Sequence, residues 1–115
     1  MKRVECIVRE DRAKKILNAL LDFDVWGVTI TSVRGCGRQK GYTSSEYMDR
    51  RTPVRTLPFT KLEFVVRDGM IEPLIERIIQ VTGTGGMGDG KIFVHSVEDA
   101  VRISTGERGD KAISS

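Results

Sequence analysis

The sequence predicts an α+β domain of the ferredoxin-like class, in which two split βαβ halves form a four-stranded antiparallel sheet with both helices on one face. Two observations support this class. The chain has 115 residues, which is enough for one domain with its own hydrophobic core. Each half also shows the pattern of a strand, an amphipathic helix and a second strand. Right-handed crossovers make the two strands of each half parallel, and we expect them to be neighbours in the sheet.

The first half starts with a strand at residues 4–8, in which Val4, Cys6 and Val8 share one face and Ile7 lies on the other. We expect Asp11 to cap the helix that follows. One face of that helix carries an apolar series at helical spacing, formed by Ala13, Ile16, Leu17, Leu20 and Leu21. The second strand follows Gly27 and spans residues 28–33.

The second half repeats this plan. Residues 61–67 form a predicted strand with Leu62, Phe64 and Val66 on one face. A turn at residues 68–69 leads into a helix, and Pro73 suits its first turn because the missing N–H would have no helical partner there. The buried stripe of this helix is Ile71, Leu74, Ile75, Ile78 and Ile79. A glycine-rich loop then precedes the last predicted strand, residues 92–97.

The sheet face without helices is also partly apolar. It carries charged and polar residues together with Ile7, Val65, Phe93 and Val97. Apolar surface of this kind commonly marks an interaction site. We therefore expect a homo-oligomer that forms face to face through these sheets.

The loop at residues 83–91 contains five glycines and ends in Lys91. Successive backbone N–H groups beside an ammonium group make an anion site. A helix precedes this loop and a strand follows it, which is the reverse of the order in P-loops and dinucleotide-binding loops, so we exclude both motifs. The loop predicts a phosphate site, and a plain flexible turn is the alternative.

A second segment rich in glycine and cations, residues 35–41, follows the second strand. We expect the two loops to bind a di- or triphosphate together if subunit packing brings them close. The candidate groups are the N–H groups of Gly37, Gly88 and Gly90 and the cations of Arg38, Lys91 and Arg102. We find no convincing base, nucleophile or carboxylate pair near them, so the sequence does not favour an enzyme.

Composition limits the other functional classes. The formal net charge of +3 suits small anionic ligands and does not require a nucleic-acid partner. The two cysteines, Cys6 and Cys36, show neither metal-ligand spacing nor a disulfide framework, which favours the reducing cytoplasm. No apolar run approaches the length of a membrane span, and no signal-peptide pattern opens the chain, so direct membrane insertion is not expected.

Four stretches in this order resemble the PII signal-transduction family: residues 31–41, 82–83, 88–94 and 101–107. The resemblance covers nearly the whole chain and fails mainly between residues 42 and 58. It implies a single domain at 1–115, a long T-loop at 42–57 and a C-terminal loop or tail at 104–115. It also implies a homotrimer that binds ATP or ADP in the clefts between subunits, and a non-enzymatic role in nitrogen regulation.

The resemblance implies site residues by position. Gln39 would help to hold magnesium when ATP and 2-oxoglutarate are bound, and the T-loop would contact a transporter, enzyme or regulator. Tyr47 is a candidate for uridylylation, with an ordinary surface tyrosine as the alternative. The implied nucleotide-binding residues are Ile7, Thr29, Gly35, Cys36, Gly37, Arg38, Gln39, Glu63, Val65, Gly88, Asp89, Gly90, Lys91 and Arg102.

Two positions depart from the family pattern. Phe59 stands where the family has a lysine for 2-oxoglutarate, and an aromatic ring does not pair with a carboxylate. Ser104 stands where the family has a second arginine, so we expect weaker triphosphate binding or a preference for ADP or AMP. A paralogue that senses AMP, ADP or another metabolite is therefore one alternative. A small phosphohydrolase and an RNA-binding sheet are two others with the same fold.

Overall fold

The structure is a computed structural model that describes residues 1–36, 56–86 and 89–114. Its strands are β1 (Lys2–Val8), β2 (Thr29–Gly35), β3 (Leu57–Val66) and β4 (Lys91–Ser96). Helix α1 (Glu10–Asp22) joins β1 to β2, and a 3-10 turn (Asp68–Met70) with helix α2 (Ile71–Thr82) follows β3. A short helix α3 (Asp110–Ile113) lies near the C-terminus.

The four strands form one sheet in the order β2-β3-β1-β4, and every neighbouring pair is antiparallel. This confirms the predicted ferredoxin-like class. The expectation that the strands of each half are neighbours is wrong. Strand β3 lies between β1 and β2, and β1 lies between β3 and β4, so the central strands make antiparallel ladders on both sides.

The core lies between the sheet and the helices, as the periodicity predicts. Alternate residues of the central strands are buried, and most of the apolar stripes of α1 and α2 pack onto them. The prediction is wrong for Leu21 and Ile79, the last residue of each stripe, which are 48% and 57% exposed. Each large side chain buried in this way stabilises the fold by roughly 1.5–3 kcal/mol. The fully buried examples are Val4, Cys6, Ile16, Leu20, Leu62, Leu74 and Ile78.

Most predicted strand boundaries differ from the structure by one or two residues, and two larger differences concern the start of α1 and of β3. Helix α1 has Arg9 as its N-cap residue, so Asp11 does not cap the helix and lies in its first turn, where a carboxylate still favours the positive end of the helix dipole. Strand β3 begins at Leu57 rather than at residue 61. It extends because Phe59 and Thr60 are buried and pair with Val33 and Ser32 of β2.

The open face of the sheet combines apolar and charged side chains. Ile7, Val65 and Val97 are half-buried, whereas Phe93 is 43% exposed. Lys61 Nζ lies 3.0 Å from Glu63 Oε1 and 3.6 Å from Glu5 Oε1, and His95 Nε2 lies 3.5 Å from Glu5 Oε2. The charges on this face are therefore largely paired within the chain. The mixed composition agrees with the sequence, and the covering partner stays a prediction.

The C-terminal region is more ordered than the loop or tail expected from the sequence. Val101 and Arg108 form a single antiparallel bridge. Arg108 Nη1 also donates to Asp99 Oδ2 at 2.6 Å. Gly109, at φ 65°, then leads into α3, which brings Ser114 back toward the sheet.

Candidate functional site

A groove of about 840 Å³ lies at the β2 edge of the sheet, and four of the predicted nucleotide-binding residues line it. Thr29 pairs with Glu63 in the β2–β3 register, and Val65 is the next residue of β3 on the same face. Arg102 reaches the groove from the C-terminal region. The sheet register therefore brings together residues that lie far apart in the sequence.

The groove offers both an acceptor and cations. The hydrogen bond from Lys61 lowers the pKa of Glu63, and the same bond raises the pKa of Lys61. Glu63 is therefore a carboxylate at neutral pH and can accept hydrogen bonds from hydroxyl or amino groups. Arg3, Arg67 and Arg102 also line the groove and supply positive charge for an anion.

Trp26 is a groove residue that the sequence analysis missed. It is the only tryptophan of the chain, its side chain is 65% exposed, and its Nε1 donates to Asp24 Oδ1 at 2.6 Å. Asp24 has φ 58°, a turn conformation that aspartate tolerates better than most residues. An exposed indole held beside cations can stack on an aromatic ligand. In the sequence, this residue could have been recognised as a candidate because it is the only tryptophan and directly precedes Gly27.

Ile7, Gly90 and Lys91 lie together near the opposite edge of the sheet. Ile7 pairs with Lys91 in the β1–β4 register. Gly90 has φ 106°, and a Cβ atom there would collide with the carbonyl oxygen of Ile7. Glycine is therefore required at this position. The close backbone contact holds Lys91, which is exposed, at the start of β4.

Asp89 braces the glycine loop from within. Its Oδ2 accepts from the backbone N–H groups of Thr84 at 2.8 Å and Gly85 at 3.1 Å, and its Oδ1 accepts from Thr84 Oγ1 at 2.5 Å. These bonds lower the pKa of the carboxyl group. The backbone N–H groups of Thr84 and Gly85 are therefore occupied within the loop, and they are not among the predicted phosphate donors. Direct contact between Asp89 and a nucleotide stays a prediction.

The remaining predicted residues lie around the end of β2. Gly35 ends the strand, and a Cβ atom there would lie 3.3 Å from Cδ2 of the Phe59 ring. Cys36 is exposed. Gly37, Arg38, Gln39, Gly88 and Tyr47 lie outside the described residues, as does most of the predicted T-loop.

The structure gathers most of the described candidates into two groups, whereas Gly35 and Cys36 lie at the end of β2 away from the groove. Thr29 lies on β2 and Lys91 on β4, which are the two edge strands of the sheet. Three strand spacings separate these edges, or about 14 Å. One chain therefore offers two partial sites, a groove at the β2 edge and a glycine loop at the β4 edge.

Within residues 1–36, 56–86 and 89–114, no group of three or more His, Cys, Asp or Glu side chains is placed to hold a metal ion. No helix in those same ranges has the length and apolar character needed to cross a membrane.

Comparisons with known proteins agree with this fold. The family model for nitrogen regulatory protein P-II matches residues 1–107. The P-II protein of Rhodospirillum rubrum is 43% identical over 113 residues, which cover 98% of this chain and 100% of that protein. The P-II protein of Haemophilus influenzae is 45% identical over 117 residues, which cover 98% of this chain and 100% of that protein.

A solved structure, Arabidopsis thaliana PII bound to citrate, superimposes with a TM-score of 0.78 at 37% identity. The match covers 99% of this chain and 90% of that one. The names of these relatives denote regulatory proteins rather than enzymes. The chain therefore belongs to the nitrogen regulatory protein P-II family, and it is a signal-transduction regulator.

Proposed function

We propose that the chain forms a homotrimer, binds ATP or ADP in the clefts between subunits, and controls a partner protein through the T-loop at residues 42–57. The observation that carries this proposal is the separation of most candidate residues between the β2–β3 side and the β1–β4 side of one sheet. A closed ring places one edge of each subunit against the other edge of the next. Each cleft then combines the glycine loop of one subunit with the groove of its neighbour.

The chemistry of the two partial sites suits an adenine nucleotide. Lys91 and Arg102 supply cations for the phosphates. Lys91 is the first residue of β4, and Arg102 follows Val101, which forms a bridge with Arg108. Glu63 is an ionised acceptor for the hydroxyl or amino groups of the nucleoside. Magnesium would enter with ATP, and Gln39 is the predicted residue that helps to hold it.

The open sheet face supports the trimer. Burying a charge without a partner is costly, whereas Lys61, Glu5 and Glu63 already pair with one another. The exposed Phe93 and the half-buried Ile7 and Val65 add apolar surface to the same face. A second copy can therefore cover this face without leaving those carboxylates unpaired.

The position of the T-loop connects ligand binding to signalling. Gly35 ends β2 and Cys36 follows it. The predicted ligand residues Gly37, Arg38 and Gln39 come directly after them in the sequence. A nucleotide that contacts this segment binds some T-loop conformations better than others, and differential binding of this kind shifts their populations. The partner protein then distinguishes the ligand states in the course of nitrogen regulation.

A second candidate is a P-II member that responds to ADP, AMP or another metabolite rather than to 2-oxoglutarate. Phe59 favours it, because this side chain is 8% exposed and packs close to Gly35. An apolar ring offers no charge to a dicarboxylate. The two candidates share the fold, the clefts and the nucleotide.

Titration calorimetry separates them. The protein is titrated with ATP, ADP and AMP, each with magnesium, with and without 2-oxoglutarate, and its mass in solution is measured in parallel. Nucleotide binding by a trimer supports the proposal, and 2-oxoglutarate binding that requires ATP selects the first candidate. Nucleotide binding without a 2-oxoglutarate effect selects the second. Absence of nucleotide binding contradicts both.

A further inference from the structure

Two arginines of the groove converge on one residue near the C-terminus. Arg67 Nη2 donates to Ser114 Oγ at 3.1 Å, and Arg102 Nη2 donates to the carbonyl oxygen of Ser114. All three residues line the groove. Arg67 follows β3, and it lies outside every motif that points to ligand binding.

This arginine pair has unused binding capacity. Its two acceptors on Ser114 are neutral, and in the described part of the chain neither arginine forms an ion pair with an acidic side chain. The Nε atom of Arg102 is buried and has no hydrogen-bond partner among the described residues. A guanidinium group carries five N–H donors and binds anionic oxygens more strongly than neutral ones.

The segment that occupies the pair is held weakly. Helix α3 has four residues, and isolated helices of this length are unstable in water. Its described backbone bonds include Ala112 N to Gly109 O at 2.9 Å and Ser114 N to Asp110 O at 3.1 Å. Ser114 attaches this segment to the domain through the two arginines, and the half-buried Ala112 and Ile113 add packing at the groove.

We propose that Arg67 and Arg102 form one anion-binding pair for a phosphate group, and that residues 110–114 occupy this pair until phosphate displaces them. The identification of the phosphate as part of a nucleotide rests on the function proposed above. Phosphate oxygens replace a carbonyl and a hydroxyl, so the ligand exchanges neutral hydrogen bonds for charge-assisted ones. The C-terminal segment is then released when the site is filled.

This pair also changes an expectation from the sequence. Ser104 removes a cation that the family pattern places in the nucleotide cleft, which predicts weaker triphosphate binding. Arg67 restores that charge from a different part of the chain. The protein therefore keeps two arginines in the groove besides Arg3.

The test uses inorganic pyrophosphate and ADP on the full chain. Hydrogen exchange at the amides of Ala112 and Ser114 reports whether residues 110–114 stay in place. We expect pyrophosphate to speed exchange at both amides. Arg67→Gln weakens pyrophosphate and ADP binding by about tenfold or more, because one charge-assisted bond is lost. Ser114→Ala strengthens binding of both ligands, because the competing hydroxyl is removed.

Lys14→Gln is the matched control. It removes one positive charge from the exposed surface of α1 and leaves the groove intact, so binding stays within twofold of the wild-type value. Circular dichroism verifies that Arg67→Gln is folded.

The outcomes separate this inference from the proposed function. If ADP binds but Arg67→Gln behaves like Lys14→Gln, the arginine pair is wrong and the nucleotide proposal stands. If pyrophosphate releases the segment but ADP does not bind, the pair stands and the nucleotide proposal fails. If pyrophosphate leaves exchange unchanged or slows it, displacement of the segment is wrong whatever ADP does.

Discussion

The two edges of the sheet hold their candidate ligand residues by different means. At the β4 edge the backbone decides the geometry, since Gly90 packs on the carbonyl group of Ile7 and Asp89 binds the amides of its own loop. At the β2 edge side chains decide it, since Glu63 bonds Lys61 and both Arg67 and Arg102 bond Ser114. The contacts at the first edge are therefore made mainly by backbone groups, whereas the arginines at the second can exchange Ser114 for a ligand.

The largest loss of stability is expected from Gly90→Ala. The substitution places a side chain at φ 106° and against the carbonyl oxygen of Ile7, so it combines backbone strain with overpacking. We expect a loss of about 3 kcal/mol or more in the free energy of unfolding. Urea denaturation measures it. Gly86→Ala in the same loop is the control, because its Cβ would meet only Thr84 Oγ1 at 3.4 Å, and a loss as large there would contradict the role given to the Ile7 contact.

A smaller loss of stability is expected from Asp89→Asn, which weakens the hydrogen bonds that the Asp89 carboxylate accepts from Thr84 and Gly85. Because the pKa of Asp89 is lowered in the folded protein, its contribution to stability is fully present above the ordinary aspartate value of 3.8 and is lost as the pH falls through the lower folded value. The variant therefore has a lower urea midpoint at pH 7. Its difference from the wild type shrinks as the pH falls below 3.8.

Asp24→Asn, which alters an exposed carboxylate near the groove, provides the comparison for that titration. An Asp89→Asn difference that stays constant from pH 7 to the acid limit would show that the carboxylate charge does not brace the loop.

The smallest effect is expected from Trp26→Ala at the other edge. The side chain is 65% exposed, so its removal leaves the urea midpoint nearly unchanged. Loss of an aromatic stack costs about 1 kcal/mol, which weakens nucleotide binding about fivefold. Calorimetry measures the affinity, and Trp26→Phe keeps most of it. Equal affinities for the alanine variant and the wild type would exclude stacking on this ring.

The two edges also differ in how well the sequence predicts them. The backbone-determined edge is visible in the sequence, because glycines clustered before Lys91 indicate a loop whose backbone approaches another group closely. The strands and helices are visible too, because alternation in β1 and helical spacing in α1 are local patterns. The helix cap is less certain from sequence, since the extended backbone of Arg9 rather than the side chain of Asp11 begins α1.

The groove is less predictable from the sequence because its parts are distant from one another. Trp26, Arg67 and Ser114 come from three separate connections and meet only after the sheet has formed. No local pattern marks such a convergence. The family resemblance identifies Glu63 and Arg102, whereas Arg67 becomes a candidate only through its contact with Ser114.

The central claim is that each nucleotide site combines the two edges from different subunits, and complementation tests it most directly. Lys91→Ala and Arg102→Ala are purified alone and as mixed trimers that carry both variants, and bound ADP is counted by calorimetry. We predict negligible binding by either variant alone and about one nucleotide per mixed trimer, because in a closed ring one cleft in three receives both intact residues. Mixed trimers that bind no nucleotide, although the wild type binds it, would contradict this claim.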